Sequence, residues 1–265
     1  MDQFKRSIFT SRLCVYNETF THLGTNAKKP KDKTIVWHEA IAGRRDEDVS
    51  SSFHNFLLSF RDAESITMWL DNCSAQNKNW TFLSMIKHTM QKGSINAQEV
   101  NLKYFEPGHS FMVPDSTHSK LERSLGRQQG KIFDFNDLLN TFELAGCDVV
   151  PLNAGDFTDW ESGVSQYSLT KAGTERPHLA KMCWIKFLKG EDQTFMSFKT
   201  DYDQFDFRPF NHWKVKFAQN TDPRVQPRGI SKTKKDNIVS NALQSKGILA
   251  EPPRKQQKPR FSPRN

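Results

Sequence analysis

Asp71, Asp115, His118 and Glu122 are the side chains whose types and settings suit chemistry. Asp71 follows the apolar run Ser65-Ile-Thr-Met-Trp-Leu70, which reads as a short buried strand, and it opens the polar stretch Asp71-Asn-Cys-Ser-Ala-Gln-Asn-Lys-Asn79. A carboxylate at the C-terminal end of a strand lies at the edge of the core. It meets water, metal or phosphate there without the full cost of burial. The stretch behind it supplies neutral donors and one cation, Lys78, a set suited to steering an anion. The plainer alternative is a strand-to-helix turn in which Asp71 or Asn72 caps the next helix. A cap accounts for one or two polar residues, and this run is longer.

The second stretch is Gly108-His-Ser-Phe-Met-Val-Pro-Asp-Ser-Thr-His-Ser-Lys-Leu-Glu122. Pro114-Asp115 predicts a helix start. On that helix Asp115, His118 and Glu122 fall at i, i+3 and i+7 and share one face, with Leu121 and Leu125 on a flank suited to packing. A solvated polar face with a cap explains such a triplet equally well. Its position after a strand ending in Gly108-His109, with another strand-end carboxylate upstream, favours convergence of the two motifs.

The elements that must position these residues follow from periodicity. Arg12–Phe20 and Thr34–Ile41 alternate as strands and are close enough to form a hairpin across the turn residues 24–32. A helix is expected from Asp46 with Val49, Phe53, Phe56, Leu57 and Phe60 on one face, then strand 65–71, helix 76–91 and strand 100–105. A short helix over 137–144 and a strand at 147–152 close the first unit. A strand pair is expected at 181–188 and 194–199, turning at 189–192, with Trp213–Phe217 as a third strand. Its aromatic residues Trp184, Phe187, Phe195 and Phe198 suit a packed small sheet better than a nucleic-acid platform, because the segment is not basic. Three regions result: a core over 10–150, a small β-rich extension over 151–223, and a tail over 224–265.

The net charge of +8 belongs to that tail. From Arg224 onward there are 11 Lys and Arg against Asp236 and Glu251, a net of +9, so the preceding residues carry −1. Half of the twelve prolines lie from Pro223 onward, and a segment this poor in apolar residues is expected to be mostly disordered, apart from a short helix near 235–243. Such a tail is either a solubilising extension or, better matched by its Pro-spaced basic residues, a nucleic-acid contact or nuclear import signal. Cys14, Cys73, Cys147 and Cys183 form no paired spacing, which fits a reducing compartment and argues against a zinc ribbon. No run is long enough to span a bilayer, and a soluble intracellular protein, nuclear rather than cytoplasmic, is expected.

Leu70–Asn79 and Gly108–Glu122 together resemble an uncharacterised domain family of transposon-rich animal genomes. Its pattern runs Ser-Asp-Asn-Cys-x-Gly-Gln-Asn-Lys-Asn, then Gly-His-(Ser/Thr)-x-(Met/His)-x-x-Asp-x-x-His-x-x-(Ile/Leu)-Glu. Leu13–Asn17 and Val36–Glu39 with Gly43 are similar to its earlier strands, and Ile230-Ser-Lys-Thr-Lys-Lys-Asp-Asn237 looks like its closing segment. That family resembles integrases and transposases of the ribonuclease H-like fold, an α/β mixed sheet flanked by helices whose first three strands are antiparallel. The resemblance implies Mg2+ or Mn2+ held by Asp71, with Asp115 or Glu122 as the helical third carboxylate. His109 and His118 would then serve as water-positioning or acid–base groups, and two ions would support in-line attack on a phosphodiester. Nucleic-acid contacts are expected from Lys78 and from the basic tail's Lys232, Lys234 and Lys235, with DNA favoured over RNA. In the family a further strand carrying an Asp precedes the one ending in Val-Tyr-Asn. This sequence starts too late for it and has Ala75 in place of a Gly, so a truncated or inactive nuclease is the expectation. Two rival readings stand beside it: a non-enzymatic nucleic-acid or chromatin-binding protein using the tail, and a structural zinc site from Cys73, His109 and His118.

Overall fold

The computed structural model describes residues 12–24, 30–106, 112–128, 132–160, 178–210 and 226–245. It is a mixed α/β fold with two mixed sheets. Strands β1 (Val15–Phe20) and β2 (Lys33–His38) form the expected antiparallel hairpin, with Glu18 opposite Ile35, and β5 (Asp148–Pro151) adds parallel to β2. The second sheet runs β3 (Ser65–Leu70), β4 (Glu99–Tyr104), β6 (Trp184–Lys189), β7 (Thr194–Lys199) and β8 (Arg208–Phe210). The helices are α1 (Asp46–Leu58), α2 (Trp80–Gln91), α3 (Val113–Arg127), α4 (Phe135–Leu144) and α5 (Lys232–Ser245); Val15–Arg228 forms one compact unit, and α5 belongs to another.

Each element has a local cause. Asn79 caps α2 by accepting from the Phe82 amide at 2.8 Å, and Gly93 at φ 67° turns the chain beyond its C-terminus, a conformation costly for any residue with a Cβ. Capping at Asn79 is why α2 starts later than the periodicity predicts. The polar residues before it stay outside the helix. α2 carries the chain from β3 to β4 as a crossover, which lets the two strands lie parallel. The Asp134 carboxylate accepts from the Asp137 amide and starts α4.

The main core lies between the second sheet and α1 and α2, where Phe53, Leu57, Phe82, Met85, Leu102, Ile185, Phe187 and Phe198 are all buried. The first sheet has its own packing on either side. Ile35 and Trp37 meet Leu152 and Phe157, while Val36 meets Leu121 of α3 and Phe142 of α4. Leu121 and Leu125 thus form the packing flank expected of α3.

Three expectations change. The break expected near residue 150 is not there, because β6 pairs antiparallel with β4 and β6–β8 extend the sheet that β3 and β4 begin. The expected single mixed sheet is two, since β1 and β3 do not pair with each other among the described residues. The tail's departure point is also structured: the Arg228 amide donates to the Ile41 carbonyl, and its guanidinium pairs with Glu47 and with Asp48 at 2.8 Å. α5 is longer than the expected 235–243. Residues 246–265 and the strand expected at 213–217 lie outside the described residues. Among the described residues no helix is long and apolar enough to cross a membrane.

Candidate functional site

Asp71 is built in by its own loop. Its Oδ1 accepts from Asn77 Nδ2 at 2.5 Å, and the Asn77 carbonyl accepts from the Tyr104 hydroxyl at 2.9 Å. Beside it Asn72 donates to the Phe105 carbonyl and accepts from Lys78 Nζ. Lys78 also reaches the Ala180 carbonyl at 3.3 Å and lies 4.6 Å from the centroid of the Tyr104 ring. Burial of this ammonium lowers its pKa below the ordinary lysine value. Lys78 is therefore turned inward, 5 % exposed, and fastens the loop to the ends of β4 and the 179–181 turn. A phosphate contact from solvent, the role expected of Lys78, is replaced by this structural one. The polar run is long because it wires its own two strand-end residues in place.

Asp71 opens on a groove of about 940 Å³ whose walls include β1, β3 and the start of α3. Asn77, Asp115 and His118 line the same groove, so the two sequence motifs meet there. Asp115 sits in the first turn of α3, where its Oδ2 accepts from the Met112 amide at 2.7 Å and closes the helix end. His118, one turn on, is exposed at the rim. Glu122 is exposed and is not among the groove residues, so Asp71, Asp115 and His118 share the groove's lining and Glu122 does not. His109 lies outside the described residues, and with it the site proposed for zinc. Cys73 does not line the groove.

Glu18 is the site residue that motif reading missed. A strand alternates faces, so Tyr16, Glu18 and Phe20 point the same way. Tyr16 and Phe20 pack into the cores, which draws the Glu18 carboxylate inward and into the groove. Its pKa is raised to about 7, first by burial and then by the negative charge of Asp71, with the Arg44 guanidinium opposing. The clue available was a glutamate on the apolar side of an alternating strand.

The fit to a metal ion rests on oxygen chemistry. Glu18, Asp71 and Asp115 offer hard carboxylate oxygens, and Asn77 Oδ1 is a buried acceptor with no partner although Asn77 is only 6 % exposed. An unpartnered buried carbonyl oxygen beside the Asp71 carboxylate matches the ligand preference of Mg2+. Among the described residues no three His, Cys, Asp or Glu side chains converge closely enough to hold an ion by themselves. The amide oxygen therefore counts in the donor set. Comparison with known proteins adds no relative: no family model matches the chain, and neither a curated protein nor a solved structure shows significant similarity to it.

Proposed function

We propose that this chain is a transposon-derived nucleic-acid-processing domain with a ribonuclease H-like core and, at most, weak metal-dependent nuclease or strand-transferase chemistry. The observation that supports it is the meeting of Asp71, Asn77, Glu18 and Asp115 along one groove, with His118 at its rim. The β3–α2–β4 crossover, which sets Asp71 at the end of a parallel strand, agrees with that fold. Asp71 and the Asn77 amide oxygen would hold Mg2+ or Mn2+, which would neutralise charge developing on a phosphodiester, with Glu18 and Asp115 further along the groove. This chain's own part is to fix Asp71 through Asn77, to offer His118 for proton transfer at the rim, and to wall the site from solvent.

Two measurements test this. Mn2+ should raise the thermal midpoint of the wild type by several degrees near pH 7, and this shift should vanish in Asp71→Asn. Nicking of supercoiled DNA with Mn2+ should fall about a hundredfold or more in the same variant. An unchanged midpoint with Mn2+, or nicking that ignores Asp71, would sink the assignment.

A second reading, a DNA-binding protein without catalysis, is favoured by α5. Lys232, Lys234 and Lys235 crowd the first turn of this helix, with Lys232 and Lys235 exposed. Cations there oppose the helix dipole, so local stability does not explain them, whereas a phosphate would complement them. Residues 229–265 hold nine Lys and Arg against two acids, a net of +7. Their removal should flatten the salt dependence of DNA affinity, read as the slope of log K against log salt. A slope unchanged by the deletion would place the phosphate contacts on residues 1–228.

A further inference from the structure

Beside its carboxylates the groove holds a cation with no part in the proposed metal site. Arg44 is exposed and lines the groove with Glu18, Asp71, Gln76 and Asn77. Its backbone is fixed on both sides. The Gly43 carbonyl accepts from Trp37 Nε1 at 2.9 Å, and a Cβ on Gly43 would come within 3.3 Å of Asp48 Oδ2 and 3.5 Å of Arg228 Nη1, so Gly43 packs directly on that ion pair. On the other side the Arg45 amide donates to Asp48 Oδ2 at 3.1 Å. The side chain is fixed as well. The Gln76 amide, oriented with its oxygen toward Arg44, accepts from Nε at 3.0 Å and from Nη2 at 2.5 Å. Holding a long exposed side chain in one place costs rotamer freedom, and the holding bonds here come from a residue of the Asp71 loop.

The identity of that partner decides what Arg44 can do. Gln76 is neutral, so the guanidinium keeps its full charge, and its Nη1 edge remains for a second acceptor. Gln76 and Asn77 are adjacent in the loop, and Asn77 Nδ2 donates to Asp71 Oδ1 at 2.5 Å. Consecutive side chains of one loop thus hold the cation and the proposed metal carboxylate. Both charges reach Glu18: after burial, which raises its pKa most, Arg44 opposes the rise and Asp71 adds to it.

We propose that Arg44 is a phosphate-binding residue, whose guanidinium holds a phosphodiester against the Asp71–Asn77 site through bidentate hydrogen bonds. This role rests on the metal reading above, for an electrostatic reason. Glu18, Asp71 and Asp115 give this end of the groove an acidic lining, which repels an anion from a lone guanidinium. A divalent ion at Asp71 offsets that charge, and the phosphate then meets a cation on each side. Metal and phosphodiester therefore bind cooperatively, each raising the affinity of the other by the same factor.

The test is the Mn2+ affinity of the full chain, read from the electron paramagnetic resonance signal of the unbound ion, with and without millimolar thymidylyl-thymidine. This dinucleotide carries a single phosphodiester, so the basic tail gains little from it. In the wild type it should tighten Mn2+ binding about tenfold. Arg44→Ala should bind Mn2+ alone at least as well as the wild type, since a repelling cation is gone, and should lose the tightening. Arg44→Lys should retain a tightening of about threefold or less, because an ammonium keeps the charge without the planar fork. Equal tightening in the wild type and Arg44→Ala, or none in the wild type despite Mn2+ binding, would overturn the proposal and leave the metal site standing. Weaker binding of Mn2+ alone by Arg44→Ala would overturn it too, because Arg44 would then be a structural part of the metal site. A wild type that binds no Mn2+ would sink the metal reading first, and the role of Arg44 with it.

Discussion

Replacing Arg228 by alanine is expected to lower the unfolding free energy by about 3 kcal/mol. The guanidinium spans Glu47 and Asp48 in the first turn of α1, and their side chains are 6 % and 0 % exposed. Removing the cation leaves two nearly buried carboxylates with one fewer donor, which costs more than the pair itself contributes. Asp48 keeps its bond from the Arg45 amide at 3.1 Å, so the loss is less than that of an isolated buried charge. Arg228 is itself partly open to solvent, which moderates the effect further. Arg228→Lys should recover only part of the loss, because an ammonium cannot fork between two carboxylates. Urea unfolding followed by circular dichroism measures both. A change under about 0.5 kcal/mol in the alanine variant would mean that the contact is a surface pair of little weight.

Glu18→Gln should have the opposite sign and a pH signature. In the folded chain Glu18 holds its proton up to about pH 7, against an ordinary glutamate value of 4.5. A raised pKa means that the folded state binds the proton more tightly than the unfolded state. The associated stability is thus complete below about pH 4.5 and is lost as pH rises through 7. Glutamine cannot ionise and escapes that loss. The variant should match the wild type near pH 4 and exceed it by about 2 kcal/mol at pH 8, a figure reduced for the partial exposure of Glu18. Parallel stability profiles for the two proteins would show that Glu18 ionises freely. Mn2+ at pH 7 should also narrow the difference if the ion displaces the proton.

Much of this architecture is legible in the sequence because its causes are local. The β1–β2 hairpin, α1, β3 and the β6–β7 pair follow from alternation or helical period, and α3 starts within a residue of the position that Pro114 predicts. What is not legible is long-range. Nothing in residues 184–199 says that β6 will choose β4, since that pairing is decided by the shared core of Leu102, Ile185 and Phe187. Nor does the composition of the tail single out Arg228, whose partners lie 180 residues earlier. At the site, Asp71 and Asp115 are visible as strand-end and helix-start residues. Lys78 and Asn77 are visible only as polar, and the inward turn of one and the buried orphan oxygen of the other are tertiary facts. Glu18 hides in plain alternation, where its charge contradicts the face it occupies.

The β4–β6 pairing has a consequence for the chain as it is made. Trp184 Nε1 donates to Asn101 Oδ1 across 83 residues of sequence. A ribosome adding about 5–20 residues per second takes roughly 4–17 s to cover that interval. For that time β4 can pair with β3 while its other edge waits, with Val100 and Leu102 lacking the Ile185 and Phe187 that later bury them. Non-local pairing of this kind is slow to form even in a finished chain. The nascent protein therefore passes through a half-sheet that invites capture by other chains, and its yield in cells should respond more to translation speed and chaperone supply than to the final stability of the fold.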